Sequence, residues 1–119
     1  MNSKYPLSAS LRVDQLLYIS GQVGKNPATG TMVNESFDAE VKQVMENLQS
    51  QLHAHGLTCE DLVSTIIYLK DMKDYTALNE RYATYFAERF PTRTCIAVAD
   101  LPSNATVEIS GIAHFKSQQ

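Results

Sequence analysis

Residues 37–52 carry an apolar stripe that a chain can bury on one side only by coiling into a helix. Phe37, Val41, Val44, Met45, Leu48 and Leu52 recur at helical spacing with polar residues between them, the pattern of an amphipathic helix with one face on a core. Ser36 can cap the first turn, which carries Asp38 and Glu40, and Gly56 can close the far end in a left-handed conformation. Before the stripe, Leu16-Leu17-Tyr18-Ile19-Ser20 reads as a strand buried on both faces. After it, residues 63–69 are β-branched and aromatic, without Pro or Gly, and predict a second central strand. Strand, helix and strand together make a βαβ crossover.

The rest of the chain extends this unit. A weaker strand is expected at residues 10–13, and Pro27 and Gly30 mark a turn. Asp74 can cap a second helix bearing Leu78, Tyr82, Tyr85 and Phe86, and Pro91 ends it or follows its end. Residues 93–98 and 106–115 read as two strands paired with each other across Asp100-Leu101-Pro102-Ser103-Asn104. The expected order is ββαβαββ, an α+β layer of two helices on one sheet, in a single domain over residues 1–119. Helices on one face leave the other face open, so further copies of the chain are expected to cover it.

Composition narrows the function classes. Charged residues make up 19% of the 119 residues, below the roughly 25% usual in soluble domains. No apolar run is long enough to span a bilayer, so the missing charge points to subunit contacts rather than a membrane. A net charge of −3 with scattered basic residues gives no electrostatic reason to bind a nucleic-acid backbone. The opening residues 1–6 lack the basic and then apolar pattern of a secretory leader, so the cytoplasm is the expected location. Cys59 and Cys95 show no short repeated spacing, which argues against a disulfide framework or a thiolate metal site. His53 and His55 stand two apart, a spacing that points side chains away from each other on a helix, so no metal is assigned.

Chemistry concentrates near the C-terminus. Arg93 follows Pro91 at the start of a strand, and its permanent charge and rigid fork of donors suit a carboxylate. Glu108 alternates with Ser110, Ile112 and His114 on one strand face, while Val107, Ile109, Ala113 and Phe115 take the other. The plain alternative is a solvated ion pair on a sheet, contributing roughly 0–1 kcal/mol. Gly21, at the end of a strand, lets its N–H approach a ligand without a Cβ, or marks a bulge. Asn79 and Tyr82 share one helix face, and Tyr82 taken alone reads as core.

Pro91-Thr92-Arg93, the fifteen-residue step to Glu108, Ser20-Gly21-Gln22, the Pro27-x-Thr29-Gly30 turn and Asn79-x-x-Tyr82 resemble the Rid family, the RidA/YjgF or L-PSP-like reactive intermediate deaminases. The likeness runs from about residue 6 to residue 113. It implies a chorismate mutase-like trimer whose sheets form a central barrel, with an active site at each subunit interface. It implies hydrolysis of 2-imino acids such as 2-iminobutanoate or 2-iminopropanoate to 2-oxo acids and ammonia, without cofactor or metal. By the same resemblance, Arg93 binds the substrate carboxylate and Glu108 activates water. Gly21 and Cys95 lend backbone groups, Asn79 lies near the ligand, and Ser20 offers its hydroxyl. Two departures stand out: Pro6-Leu7-Ser8-Ala9 has Leu7 where imine-hydrolysing members carry Tyr, and Ser110 replaces a second carboxylate. They keep open a non-catalytic, carboxylate-binding oligomer and a hydrolase of a related enamine or aminoacrylate. A ribonuclease finds little support in so acidic a chain.

Overall fold

In the computed structural model, which describes residues 5–116, the elements run β1 (Ser10–Val13), β2 (Leu16–Gln22), α1 (Phe37–His53), β3 (Leu62–Leu69), α2 (Tyr75–Ala83), β4 (Thr92–Ala97) and β5 (Val107–His114). This is the expected ββαβαββ order, with both helices on one face of a mixed sheet. Residues 1–4, which open the segment weighed as a leader, lie outside the described residues. No described helix is long and apolar enough to cross a membrane.

Sheet order is β1-β2-β5-β3-β4, so the last two strands do not pair with each other as expected. The α2 crossover instead lays β4 parallel to β3, with Thr65 opposite Arg93 and Ile67 opposite Cys95. The chain then passes over the end of β3 and inserts β5 antiparallel between β2 and β3. Two backbone bonds fasten this passage: Val98 N–H donates to the Leu69 carbonyl at 2.8 Å, and Lys70 N–H donates to the Thr106 carbonyl at 2.9 Å. Local pattern identified the strands, but their neighbours are fixed by crossovers that pattern alone does not encode.

The helix ends follow their local chemistry. Ser36 Oγ accepts from Ala39 N–H at 3.0 Å. Past the other end of α1, Gly56 takes φ 75°, and Leu57 N–H returns to the Leu52 carbonyl at 2.9 Å. Helix α2 is shorter than expected, and Tyr85 and Phe86 lie in the turn beyond it, partly buried against the core. Asp74 precedes α2 without a side-chain capping bond, while Asp71 caps the turn just before by accepting from Lys73 N–H at 2.9 Å. A two-pronged pair of Arg81 with Asp38, at 2.7 and 2.9 Å, ties α2 to α1.

The core lies between α1 and the sheet, where Val41, Val44, Met45, Leu48 and Leu52 meet Leu17, Ile19, Ile67 and Ile109. Residues 16–20 are thus buried on one face only: Leu17 and Ile19 are covered, but Tyr18 between them is 43% exposed. Leu11, Val13, Ile66 and Ile96 are exposed on the same helix-free side.

A buried carboxylate locks the entry to β5. Glu40, only 4% exposed, accepts from Thr106 N–H at 2.8 Å and from the Thr106 hydroxyl at 2.6 Å. Gly24 makes room for it, since a Cβ there would stand 2.8 Å from Glu40 Cγ. Glu40→Ala removes the acceptors of two part-buried Thr106 donors, so it should cost about 1–3 kcal/mol of stability. Urea midpoints at fixed protein concentration measure the loss, and an unchanged midpoint would show that the clamp carries no net stability.

Candidate functional site

Arg93 lies in the same register as the buried Thr65, so its side chain rises toward the helices. Nη1 donates to Asn79 Oδ1 at 2.7 Å and Nη2 to the Tyr75 hydroxyl at 3.0 Å. The guanidinium carbon is 5.4 Å from the ring centres of Tyr75 and Tyr82. Tyr75 and Asn79 are one turn apart on α2, which aims both acceptors at one point. Both are neutral, and no described carboxylate forms an ion pair with Arg93. The cation is therefore oriented without being neutralised.

Tyr82 sits beneath, 3% exposed, with its hydroxyl 2.8 Å from Thr65 Oγ1. Burial raises its pKa, partly opposed by the Thr65 bond and by Arg93, so the phenol stays neutral. Its core role matches the expectation; Tyr75 and Thr65 were missed. For Tyr75 the signal was the four-residue step to Asn79. For Thr65 there was none, because only the pairing of β3 with β4 brings it under Arg93. Asn79, Tyr82, Ala83, Phe90, Pro91 and Arg93 line a concavity of about 310 Å³.

Cys95 points to the same side, two residues beyond Arg93. Burial pushes its thiol pKa up, with Arg93 opposing, so the sulfur remains protonated and a poor nucleophile.

Glu108 occupies the other face, in register with Tyr68, as the alternation predicted. The β2 to β5 register shifts between Ile19 and Gln22, forming a bulge at Ser20 and Gly21. There Gly21 lies against the Glu108 carboxylate: a Cβ would stand 2.7 Å from Glu108 Cδ. The bulge reading of Gly21 therefore holds, and the missing Cβ leaves the room that the Glu108 carboxylate occupies. Loss of solvent raises the Glu108 pKa. Ser20 Oγ donates to the Ser8 carbonyl at 2.6 Å, and Ser20 N–H donates to the Ala9 carbonyl at 3.0 Å. Those bonds fix the segment that carries Leu7, 52% exposed, beside the end of β2.

Within one chain the two halves do not meet. Arg93, Asn79 and Cys95 gather on the helix side, with Glu108 against Gly21 on the open side, and β3 separates β4 from β5. Arg93 and Glu108 therefore do not form the ion pair set out as the plain alternative. His55 Nε2 lies 3.2 Å from Ser10 Oγ, while Cys59 is buried in the core with its pKa pushed up to about 11 by desolvation.

A family model described as Endoribonuclease L-PSP matches residues 1–115. The 2-iminobutanoate/2-iminopropanoate deaminase of Mus musculus is 42% identical over 108 residues, covering 91% of this chain and 80% of that protein. Among solved structures, RidA from the Antarctic bacterium Psychrobacter sp. matches with a TM-score of 0.90 at 34% identity, covering 95% of this chain and 91% of the other. E. coli TdcF with bound serine matches with a TM-score of 0.90 at 27% identity, covering 96% and 91%.

The desolvated Glu108 has a consequence for stability. A carboxyl whose pKa is raised on folding binds its proton more tightly in the folded chain, so ionising it weakens the fold as pH rises from the ordinary value of 4.5 through the folded one. Glu108→Gln cannot ionise. Its thermal midpoint should exceed the parent's at neutral pH, and the advantage should vanish below pH 4.5. Equal midpoints across that range would discount the desolvated carboxylate.

Proposed function

Because the chain belongs to the Rid family, we propose that it hydrolyses 2-imino acids, of the 2-iminobutanoate and 2-iminopropanoate type, to 2-oxo acids and ammonia. The observation that carries this reading is Arg93, a guanidinium beside a concavity and held only by neutral partners. Such a group binds a carboxylate through its remaining N–H donors. Serine, the ligand named for E. coli TdcF, is itself a small carboxylate.

Glu108 takes the complementary role. It removes a proton from water as the oxygen bonds to C2 of the imine, whose π electrons move to nitrogen. Glu108 returns that proton to nitrogen, then carries the proton of the new hydroxyl to the same nitrogen, and the carbonyl forms as the C–N bond breaks and ammonia leaves. The raised pKa brings this carboxylate closer to the working pH, where a general base is most effective. Gly21 keeps the space beside it open, the backbones of Gly21 and Cys95 and the Ser20 hydroxyl supply further polar contacts, and Asn79 holds Arg93.

Since Arg93 and Glu108 face opposite sides of one sheet, the working site joins the Arg93 side of one copy to the Glu108 side of the next. The apolar, exposed Tyr18, Ile66 and Ile96 favour such association, and a homotrimer with three interface sites is the form proposed. A second reading, a carboxylate-binding oligomer without turnover, is favoured by Leu7, which gives the site neither ring nor hydroxyl. Hydrolysis of an enamine or aminoacrylate is a third, close to the first in chemistry.

An amino acid oxidase generating 2-iminobutanoate, with semicarbazide as trap, tests turnover. The protein should lower semicarbazone yield, and Arg93→Ala should not. Glu108→Gln should slow hydrolysis by about 10²–10⁴-fold while still binding 2-oxobutanoate. Undiminished semicarbazone with several imines favours the binding reading. Assembly has its own test: refolding equal amounts of Arg93→Ala and Glu108→Gln chains together should restore about one quarter of the parental rate, half of the sites having a sound Arg93 and half of those a sound Glu108. No recovery would mean that each site draws both groups from one chain.

A further inference from the structure

Beside the Arg93 cation stands a wall of a different character. Tyr82, Phe86 and Phe90 form a ladder of rings with centres 4.9 and 5.7 Å apart. Its outermost member, Phe90, is 63% exposed. Phe90, Pro91, Ala83 and the ring of Tyr82 supply most of the lining of the concavity of about 310 Å³ next to Arg93. The Tyr82 hydroxyl is engaged with Thr65 and Asn79 Oδ1 with Arg93, so the polar groups left to a ligand are the N–H donors of Asn79 and Arg93 at one end of the lining. Phe90, Pro91 and Ala83 offer no side-chain polar partner to a hydroxylated or charged substituent, and a cation with such an apolar wall beside it matches a carboxylate that carries a hydrocarbon group. A methyl or ethyl group would leave most of that volume empty.

We infer that the concavity receives the substrate's side chain and selects 2-imino and 2-oxo acids with branched or aromatic groups over those with a methyl or ethyl group, Phe90 being the main determinant. This deepens the proposed function and rests on Arg93 as the carboxylate anchor. It does not require turnover, so binding alone can test it.

The experiment titrates the assembled protein with phenylpyruvate, 4-methyl-2-oxopentanoate and pyruvate. Covering a benzyl or isobutyl group on one side should tighten binding about tenfold relative to pyruvate. In Phe90→Ala that ratio should collapse toward one. Ala83→Leu, at an exposed position closing α2, fills the concavity without removing an aromatic wall and should reduce the ratio as well. Pyruvate binding as tightly as phenylpyruvate in the parent overturns the inference, whatever the imine trap shows. A preference that survives both substitutions overturns its assignment to this concavity. If the preference follows Phe90 while the trap assay finds no hydrolysis, the selectivity stands and turnover fails. Binding of all three acids that persists in Arg93→Ala removes the anchor and the inference with it.

Discussion

Everything in this fold depends on a sheet with helices on one side only. Along β5 the alternation puts Val107, Ile109 and Ala113 under α1 and Glu108, Ser110 and Ile112 on the other face. Burying a Val or Ile side chain fully contributes about 1.5–3 kcal/mol. A one-residue slip would exchange the two sets, driving a carboxylate into the core and Val107, Ile109 and Ala113 out of it. Packing of the inner face therefore fixes where the carboxylate on the outer face points. The same logic on β4 sends Arg93 inward, because its neighbour in register is the buried Thr65.

Polar contacts then sharpen what packing sets. Glu40 grips Thr106 one residue before β5 begins, so the strand enters the sheet at a defined height. At the end of β2 the ladder departs from regularity at Ser20 and Gly21, where backbone meets the Glu108 carboxylate. On the helix side, Asn79 and Tyr75 satisfy two guanidinium donors without contributing negative charge. Each device orients a charged group while leaving its charge in place.

Much of this was legible in the sequence, and the exceptions share a cause. The helical stripe, the Ser36 cap, the Gly56 turn and the two faces of β5 are local patterns, and local geometry follows them. The partner of β4 is not local: residues 93–98 and 106–115 resemble a hairpin in sequence, yet the α2 crossover claims β4 for β3. Residues 16–20 looked buried on both sides because apolar composition does not say whether the covering surface belongs to the same chain. Arg93 and Glu108 were found by residue type, but their separation onto opposite faces needed the strand order. Tyr75 was visible only as another aromatic near a helix start, and its link to Arg93 appears once α2 lies over β4.

That separation bears directly on chemistry. Had Arg93 met Glu108 within one chain, the guanidinium would hold the carboxyl below its ordinary pKa and spend its own charge doing so. The result would be a weak base and a filled anion site. Kept apart by β3 and the plane of the sheet, Glu108 retains the raised proton affinity that desolvation gives it, and Arg93 retains an unneutralised charge. On the proposed reading, the substrate carboxylate, arriving between two copies, screens Arg93 from Glu108 at the moment the base is needed. Within one chain, then, neither group spends its charge on the other, and each keeps the state that the proposed chemistry asks of it.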